Sequence, residues 1–433
     1  MKSVPQSRRR FLQQSSILAA AAWSGPYLAR GKDSPNHKLN VGFVGVANRG
    51  GADLQGVSAV TEHVNVAALC DVDENYLAAA KQRFPGATTY HDFRRLLEQK
   101  DLDAVVVGTP DHTHAIVSVM AMRTGRHVYC EKPLTRTVSE TRIVTDTART
   151  SKRVTQIGTQ IHAGANYRRV VELVKSGAIG AVQEVHVWVG GGRGGLELPV
   201  GKEEAPASLH YDLWLGPVPE VPYHSAFVPR NWRDWWMFAG GTLGDFGCHY
   251  MDLPYWALDL KYPTTVASEG PPPHRYSTAP WQVVQYEFPR RGQLPPVNLT
   301  WYHGGKHPEQ LSPEHYQKYK SGVLFVGAKG RLLASYGSHV LLPEEDFRDF
   351  VRPEPFLPDS IGHHREWVMA CLGGSRATCA FDYSGPLTET ALLGNVAHRV
   401  GQKLVWDAKK LKATNCPAAD EFIHHVYRKG WRI

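Results

Sequence analysis

The sequence predicts an α/β protein in two parts. An N-terminal doubly wound parallel sheet over residues 39–160 precedes a C-terminal α+β domain over residues 161–433, built on a large, mostly antiparallel, open-faced sheet. Two observations carry this expectation. Before residue 160, short apolar runs with little polar alternation alternate with helical segments, as in a parallel sheet covered on both faces. After residue 180 the runs alternate polar and apolar, and Pro- and Gly-rich connections such as 270–273 and 289–296 join them. The 433-residue length is enough for two or three real cores.

The chain opens on a basic start (Arg8-Arg9-Arg10-Phe11-Leu12), an apolar run (Ile17–Trp23) and small residues. This pattern predicts a signal peptide over 1–30, and its paired arginines resemble the twin-arginine type, which exports folded proteins to the periplasm. Residues 31–38 read as a linker. The formal charge is +8, but Lys2, Arg8, Arg9, Arg10 and Arg30 supply five of those charges, leaving +3 on the rest. That balance argues against nucleic-acid binding. No apolar stretch after the signal is long enough to span a membrane. The six cysteines form no CxxC pair, and a Cys371–Cys379 disulfide is disfavoured if folding precedes export.

In order, the first half predicts a strand over 41–46, a strand Val64–Cys70, a helix Glu74–Phe84 and a short strand Ala87–Tyr90. A helix Phe93–Gln99, a strand Asp103–Gly108 and a helix Thr113–Thr124 follow. A strand His127–Cys130, a helix Val138–Thr150 and a strand Arg153–Gly158 complete it. In the second half, strands are expected at Val182–Val189, Trp281–Phe288, Val297–Tyr302, Val323–Val326 and Arg331–Ser335. Helices are expected at Ala163–Lys175, Gly244–Leu258, His363–Leu372 and Leu387–Val400, with His424-His425 also helical.

The first strand runs into Gly45-Val46-Ala47-Asn48-Arg49-Gly50, a G-x-A-x-x-G turn opening a helix. Gly45 allows the sharp turn and Gly50 close helix packing. The free N–H groups at the helix start favour a phosphate. Asp71 ends the second strand about twenty residues later, where a dinucleotide fingerprint places an acid on the ribose hydroxyls. An acid there favours NAD over NADP. Asp71 could instead cap the next helix, a task for which Asp73 is equally placed.

Ligands bind beyond the carboxyl ends of such strands. Thr109-Pro110-Asp111-His112-Thr113-His114, Glu131-Lys132-Pro133 and Gly158-Thr159-Gln160 fall there. Lys132 suits a donor that stabilises a substrate alkoxide, or it pairs with Glu131. Asp245 and His249 stand four apart on one helical face. They suit proton abstraction with an orienting acid, a metal pair, or a cap and a core histidine. No further ligand spacing supports a metal. The aromatic stretch 211–238, with Trp235 and Trp236, suits sugar faces, a core or a subunit interface. Arg230, Arg233 and Asp234 add polar groups there.

These motifs, in this order, resemble the glucose–fructose oxidoreductase / inositol dehydrogenase / rhizopine catabolism (Gfo/Idh/MocA) family across nearly the whole chain after the signal. The resemblance implies a Rossmann domain, a nicotinamide dinucleotide, a sugar or cyclitol substrate, and dimers or tetramers. It implies Lys132, Asp245 and His249 as catalytic residues. Cofactor contacts are expected from Gly45, Ala47, Asn48, Arg49, Gly50, Asp71, Thr109, Pro110, His112, His114, Glu131, Lys132 and Gln160. Substrate contacts are expected from Lys132, Tyr167, Arg168, Trp235, Trp236, Asp245 and His249. The expected activity is oxidation of a CH–OH group by hydride transfer to a tightly held NAD, which export would require because free NAD is scarce outside the cytoplasm. The alternatives are glycosidic cleavage through transient oxidation, resembling NAD-dependent α-N-acetylgalactosaminidases, and a non-catalytic sugar or nucleotide sensor.

Overall fold

The computed structural model describes residues 38–433; the expected signal and all of the linker but Lys38 lie outside the described residues. Strands β1 (Leu39–Val44), β2 (Val64–Cys70), β3 (Thr88–Tyr90), β4 (Ala104–Val107), β5 (His127–Cys130) and β6 (Thr155–Ile157) form a parallel sheet of order β3-β2-β1-β4-β5-β6. The order reverses between β1 and β4, which opens a crevice at their carboxyl ends. β4 is buried at every position, as its unalternated Ala-Val-Val-Val requires.

The second sheet has nine strands: β7 (Val182–Val189), β8 (Thr265–Glu269), β9 (Gln282–Phe288), β10 (Val297–His303), β11 (Ser321–Gly327), β12 (Gly330–Ala334), β13 (His339–Leu342), β14 (Leu404–Asp407) and β15 (Lys412–Ala413). Its order is β13-β12-β11-β7-β10-β9-β8-β14-β15, and only β7 and β10 pair in parallel. Alternation along β9 and β10 buries Val284, Tyr286, Leu299 and Trp301 on one face, where Leu387, Leu392, Leu393 and Val396 of the helix Phe381–Val400 cover them. That apolar core continues under the first sheet through Val105, Val107 and Val128. On the other face of the first sheet, Val41, Phe43, Val106 and Tyr129 meet Leu54 and Val57 of the helix Asn48–Ser58. Trp367 of the helix His363–Cys371 joins them. A helix from far down the chain thus completes the first layer, which no local pattern announces.

Three local expectations need correction, and four strands are not among those expected. The segment 244–258 is two helices, Gly241–Tyr250 and Asp252–Leu258. Pro254 lies in the first turn of the second, where its missing N–H costs nothing. The long helix starts at Phe381 rather than Leu387 because it absorbs Pro386. His424 is extended and follows the short helix Asp420–Ile423, so His424-His425 is not helical. Strands β8, β13, β14 and β15 are short, and their composition does not alternate clearly. All six cysteines are free.

Glycine packing at the crevice is a strict constraint. A Cβ on Gly50 would drive into the Gly45 carbonyl, and one on Gly45, at φ +82, would lie 2.7 Å from the Gly108 carbonyl. Gly50→Ala is therefore expected to lower stability by about 1–3 kcal/mol, read from the urea midpoint. Gly86→Ala, with nothing within 4 Å, should stay near wild type.

Candidate active site

A cleft of about 570 Å³ lies along the carboxyl ends of β1, β2, β4 and β5. At one end, Gly45, Ala47, Asn48 and Arg49 line it. Ala47 precedes the helix in an extended conformation, with no side chain capping the first turn and no acid in it. The first N–H groups therefore remain available to an anion. Gly50 serves only the packing described above.

Of the two tasks open in the sequence, the cap of the helix Glu74–Arg83 falls to Asp73, which accepts from Asn75 N at 2.8 Å. Asp71 lines the cleft and accepts from the backbone N–H groups of Val46 (2.9 Å) and Asp73 (3.0 Å). Burial pushes its carboxyl above the usual range, against those bonds. Its backbone anchors leave lone pairs for further donors, which is the chemistry of ribose recognition.

The chemical end is built from the turns after β4 and β5. Thr109, Pro110, Asp111 and His114 line it. His114 staples the two turns, with Nδ1 2.7 Å from the Pro133 carbonyl oxygen and Nε2 2.8 Å from that of Thr109. Glu131 is buried and accepts from Gln160 Nε2 at 2.6 Å, while Arg49 Nε lies 3.2 Å away. Burial and the nearby Asp53 charge push Glu131 up to about 8, although Arg49 and Lys132 oppose this. Gln160 is off the cleft wall and acts by holding Glu131 and the Tyr129 hydroxyl.

Lys132 Nζ donates to Asp245 Oδ1 at 2.6 Å and to the Asp245 carbonyl at 2.8 Å. Arg233 and Arg193 approach the other carboxylate oxygen at 3.6 and 3.7 Å. Burial disfavours the Asp245 charge, but Lys132 and then Arg233 outweigh it and hold the carboxyl low. Asp111 faces the same group. Burial pushes it up to about 7, with Asp245 adding to the shift and Arg233 and Lys132 opposing it.

Several expected residues sit elsewhere. His249 is half-buried, one turn beyond Asp245 and off the cleft wall, with Nδ1 buried and unpartnered. Burial, then Lys132, hold its imidazole well below the ordinary range. His112 is a core residue: Nε2 lies 2.7 Å from the Trp214 carbonyl oxygen and the ring packs on Trp214 and Phe238. Tyr167 is fully buried, its hydroxyl 3.4 Å from the His249 carbonyl. Arg168 donates to the Pro358 carbonyl at 2.8 Å. Trp235 donates to the Ala226 carbonyl inside an aromatic cluster, and Trp236 lines a different cavity. The cleft is walled instead by Trp214, Arg230, Trp232, Arg233, Arg193 and Trp431. Trp232 faces the cleft and Trp235 does not, within one dense stretch, so sequence could place the stretch and not the facing members. Arg193 and Trp431 carry no local signal. Among the described residues, two groups of three side chains have metal-binding spacing, including the buried His162, Asp252 and Cys379. There, His162 Nδ1 already bonds Asp252 at 2.9 Å, and the Tyr383 hydroxyl donates to the same carboxylate.

A glycine turn after β1, a buried acid at the end of β2 and a lysine at the end of β5 line one crevice, the layout of a dinucleotide-binding α/β domain. The family comparisons agree. The oxidoreductase family's NAD-binding Rossmann fold matches residues 39–159 and its C-terminal alpha/beta domain matches 164–294. The chain belongs to the Gfo/Idh/MocA family and carries an NAD-binding Rossmann domain. Inositol 2-dehydrogenase of Salmonella typhimurium is 30% identical over 150 residues, 34% of this chain and 45% of that protein. A glycosyl hydrolase family 109 protein of Solibacter usitatus is 31% identical over 192 residues, 40% of this chain and 43% of that one. The chain thus spans less than half the length of these curated relatives. The WlbA dehydrogenase of Bordetella pertussis, crystallised with NADH and UDP-GlcNAcA, shares the fold. Its TM-score is 0.62 at 17% identity, over 86% of this chain and 99% of that one.

Asp111 offers a pH test. A carboxyl held protonated in the fold up to about 7, but released near its ordinary value of 3.8 when unfolded, costs stability progressively as pH rises through that window. Asp111→Asn removes this cost. The variant's melting temperature should gain on wild type from pH 4 to 8. A constant difference would mean that Asp111 is already ionised in the fold.

Proposed function

We propose that the protein is an NAD-dependent oxidoreductase acting on a CH–OH group of a sugar, sugar derivative or cyclitol. Its place would be the periplasm, reached folded by the twin-arginine route, and its state a homo-oligomer, a dimer or tetramer. The observation that carries the activity is the Lys132–Asp245 pair at the cleft. The residues present fit the cofactor: free N–H groups at the Asn48 helix would take its phosphates, close glycine packing admits it, and Asp71, lining the cleft, would accept from its ribose. Asp71 would repel a 2′-phosphate, which favours NAD over NADP.

Bound NAD would supply the hydride acceptor. Lys132 would donate to the substrate hydroxyl oxygen and stabilise its anionic form. Asp245 aims the ammonium through two hydrogen bonds and stays ionised because Lys132, then Arg233 and Arg193, outweigh its burial. His249, one turn behind Asp245 and kept neutral by burial and then by the Lys132 charge, would take the hydroxyl proton of a substrate that reaches past the lining of the cleft to its ring. Trp214 and Trp232 would shield the reacting carbon from water.

A second reading has specific support in the family 109 relative, which matches a longer stretch than the dehydrogenase does. Here oxidation is transient, a glycosidic bond breaks by elimination, and the hydride returns. Net NADH formation from free sugars or cyclitols supports the first reading. Cleavage of a glycoside with no net change in cofactor supports the second. Protein purified without any bound or bindable dinucleotide would sink both.

Lys132→Ala and His249→Ala are each expected to reduce turnover at least ~100-fold, measured with a substrate that wild type oxidises. A near-normal rate would remove that residue from proton transfer. Asp71→Ala should shift selectivity from NAD toward NADP, read as the ratio of kcat/KM for the two; an unchanged ratio would exclude the ribose role.

A further inference from the structure

Trp236 and the His424-His425 pair meet in a second cavity, of about 350 Å³, which shares no lining residue with the cleft. Its walls are the start of the helix Val138–Ser151, the later turns of the helix Phe381–Val400, and the segments 236–240 and 421–425. Arg136, Arg275 and Arg399 line it, against a single acid, Glu421. The volume suits a small metabolite.

Arg136 donates from Nη1 to the Trp236 carbonyl at 3.1 Å, but its Nε and Nη2 are buried without a protein acceptor. Buried donors without acceptors are costly, and more so on a charged group. The nearest acid on its own segment, Glu140, is engaged by Thr137 and the Tyr427 hydroxyl. Asn395 Oδ1, also buried and unpartnered on this wall, is an acceptor and would take a hydroxyl of a bound molecule rather than its oxyanion. Arg399 lies 3.9 Å from the Phe422 ring and 5.3 Å from the Trp236 ring. Ring contacts engage the faces of a guanidinium, whereas its N–H donors lie in its plane.

We propose that this cavity binds a small oxyanion-bearing molecule, a phosphate or a carboxylate, through Arg136, Arg275 and Arg399. The assignment does not depend on the redox reading, since the two cavities are separate. Guanidinium recognition persists across neutral pH, because even Arg399, lowered by burial to about 10, stays charged there.

The test uses the full chain with excess NAD, so that the cleft's own anion site is filled. Inorganic phosphate and malonate are titrated against chloride at equal ionic strength, with melting temperature and calorimetry as readouts. At least one of the two should bind saturably. Arg275→Ala, at an exposed residue, and Arg136→Gln should each weaken that binding about 10-fold or more. Arg149→Ala, at a side chain 76% exposed and remote from the cavity lining, should not weaken it. No response beyond chloride would overturn the proposal. So would an Arg275→Ala protein that binds like wild type, because the anion would then sit elsewhere.

Discussion

The ion pair between Lys132 and Asp245 joins residues 113 positions apart, one from the turn after β5 and one from the helix Gly241–Tyr250. Each side chain is only 12% exposed. In such surroundings removing either partner leaves a charge that neither water nor protein compensates well, and the cost of that exceeds the net worth of the intact pair. The pair therefore fixes how the helix meets the strand ends. It also organises the charges around it: Arg193 and Arg233 gather on the free oxygen of Asp245. Positioning of the Lys132 ammonium and attachment of the second layer to the first are one interaction.

The glycine turn follows a different logic, steric rather than electrostatic. Gly45, Gly50 and Gly108 approach so closely that no side chain fits among them. Ala47 is not part of that contact. Its φ of −117 is open to any residue, so the fingerprint's departure there costs neither conformation nor packing. What the turn must present is a row of N–H groups, and these belong to the backbone whatever the side chain is.

This division explains what was legible in the sequence. Local signals place the strand ends: apolar runs such as Ala104–Val107, the turn glycines, and Asp71 with Asp73. They also place Asp245, through its spacing on a helix. Which way a side chain turns depends on contacts distant in sequence, and there the local signal ends. His112 and His114 share one turn, yet one packs against Trp214 and the other faces the cleft. Trp232 and Trp235 behave likewise. Trp431 reaches the cleft from far along the chain. It packs near Phe93 and under Arg94, whose guanidinium lies 4.6 Å from its ring.

The cofactor turn is braced from the same distant parts. Arg49 bonds Asp53 at 2.6 Å and approaches Glu131, while Asp53 is met by His364 Nε2 at 3.1 Å. His364 belongs to the helix that covers the first sheet, whose Trp367 packs against Tyr129, and the Tyr129 hydroxyl accepts from Gln160. Loosening the turn would expose Asp53, which is fully buried and whose charge His364 and Arg49 sustain against burial. A turn tied into the fold in this way resists the local opening that releases a nucleotide. Under the proposed function, that resistance would keep the cofactor bound through export and through its recycling in place.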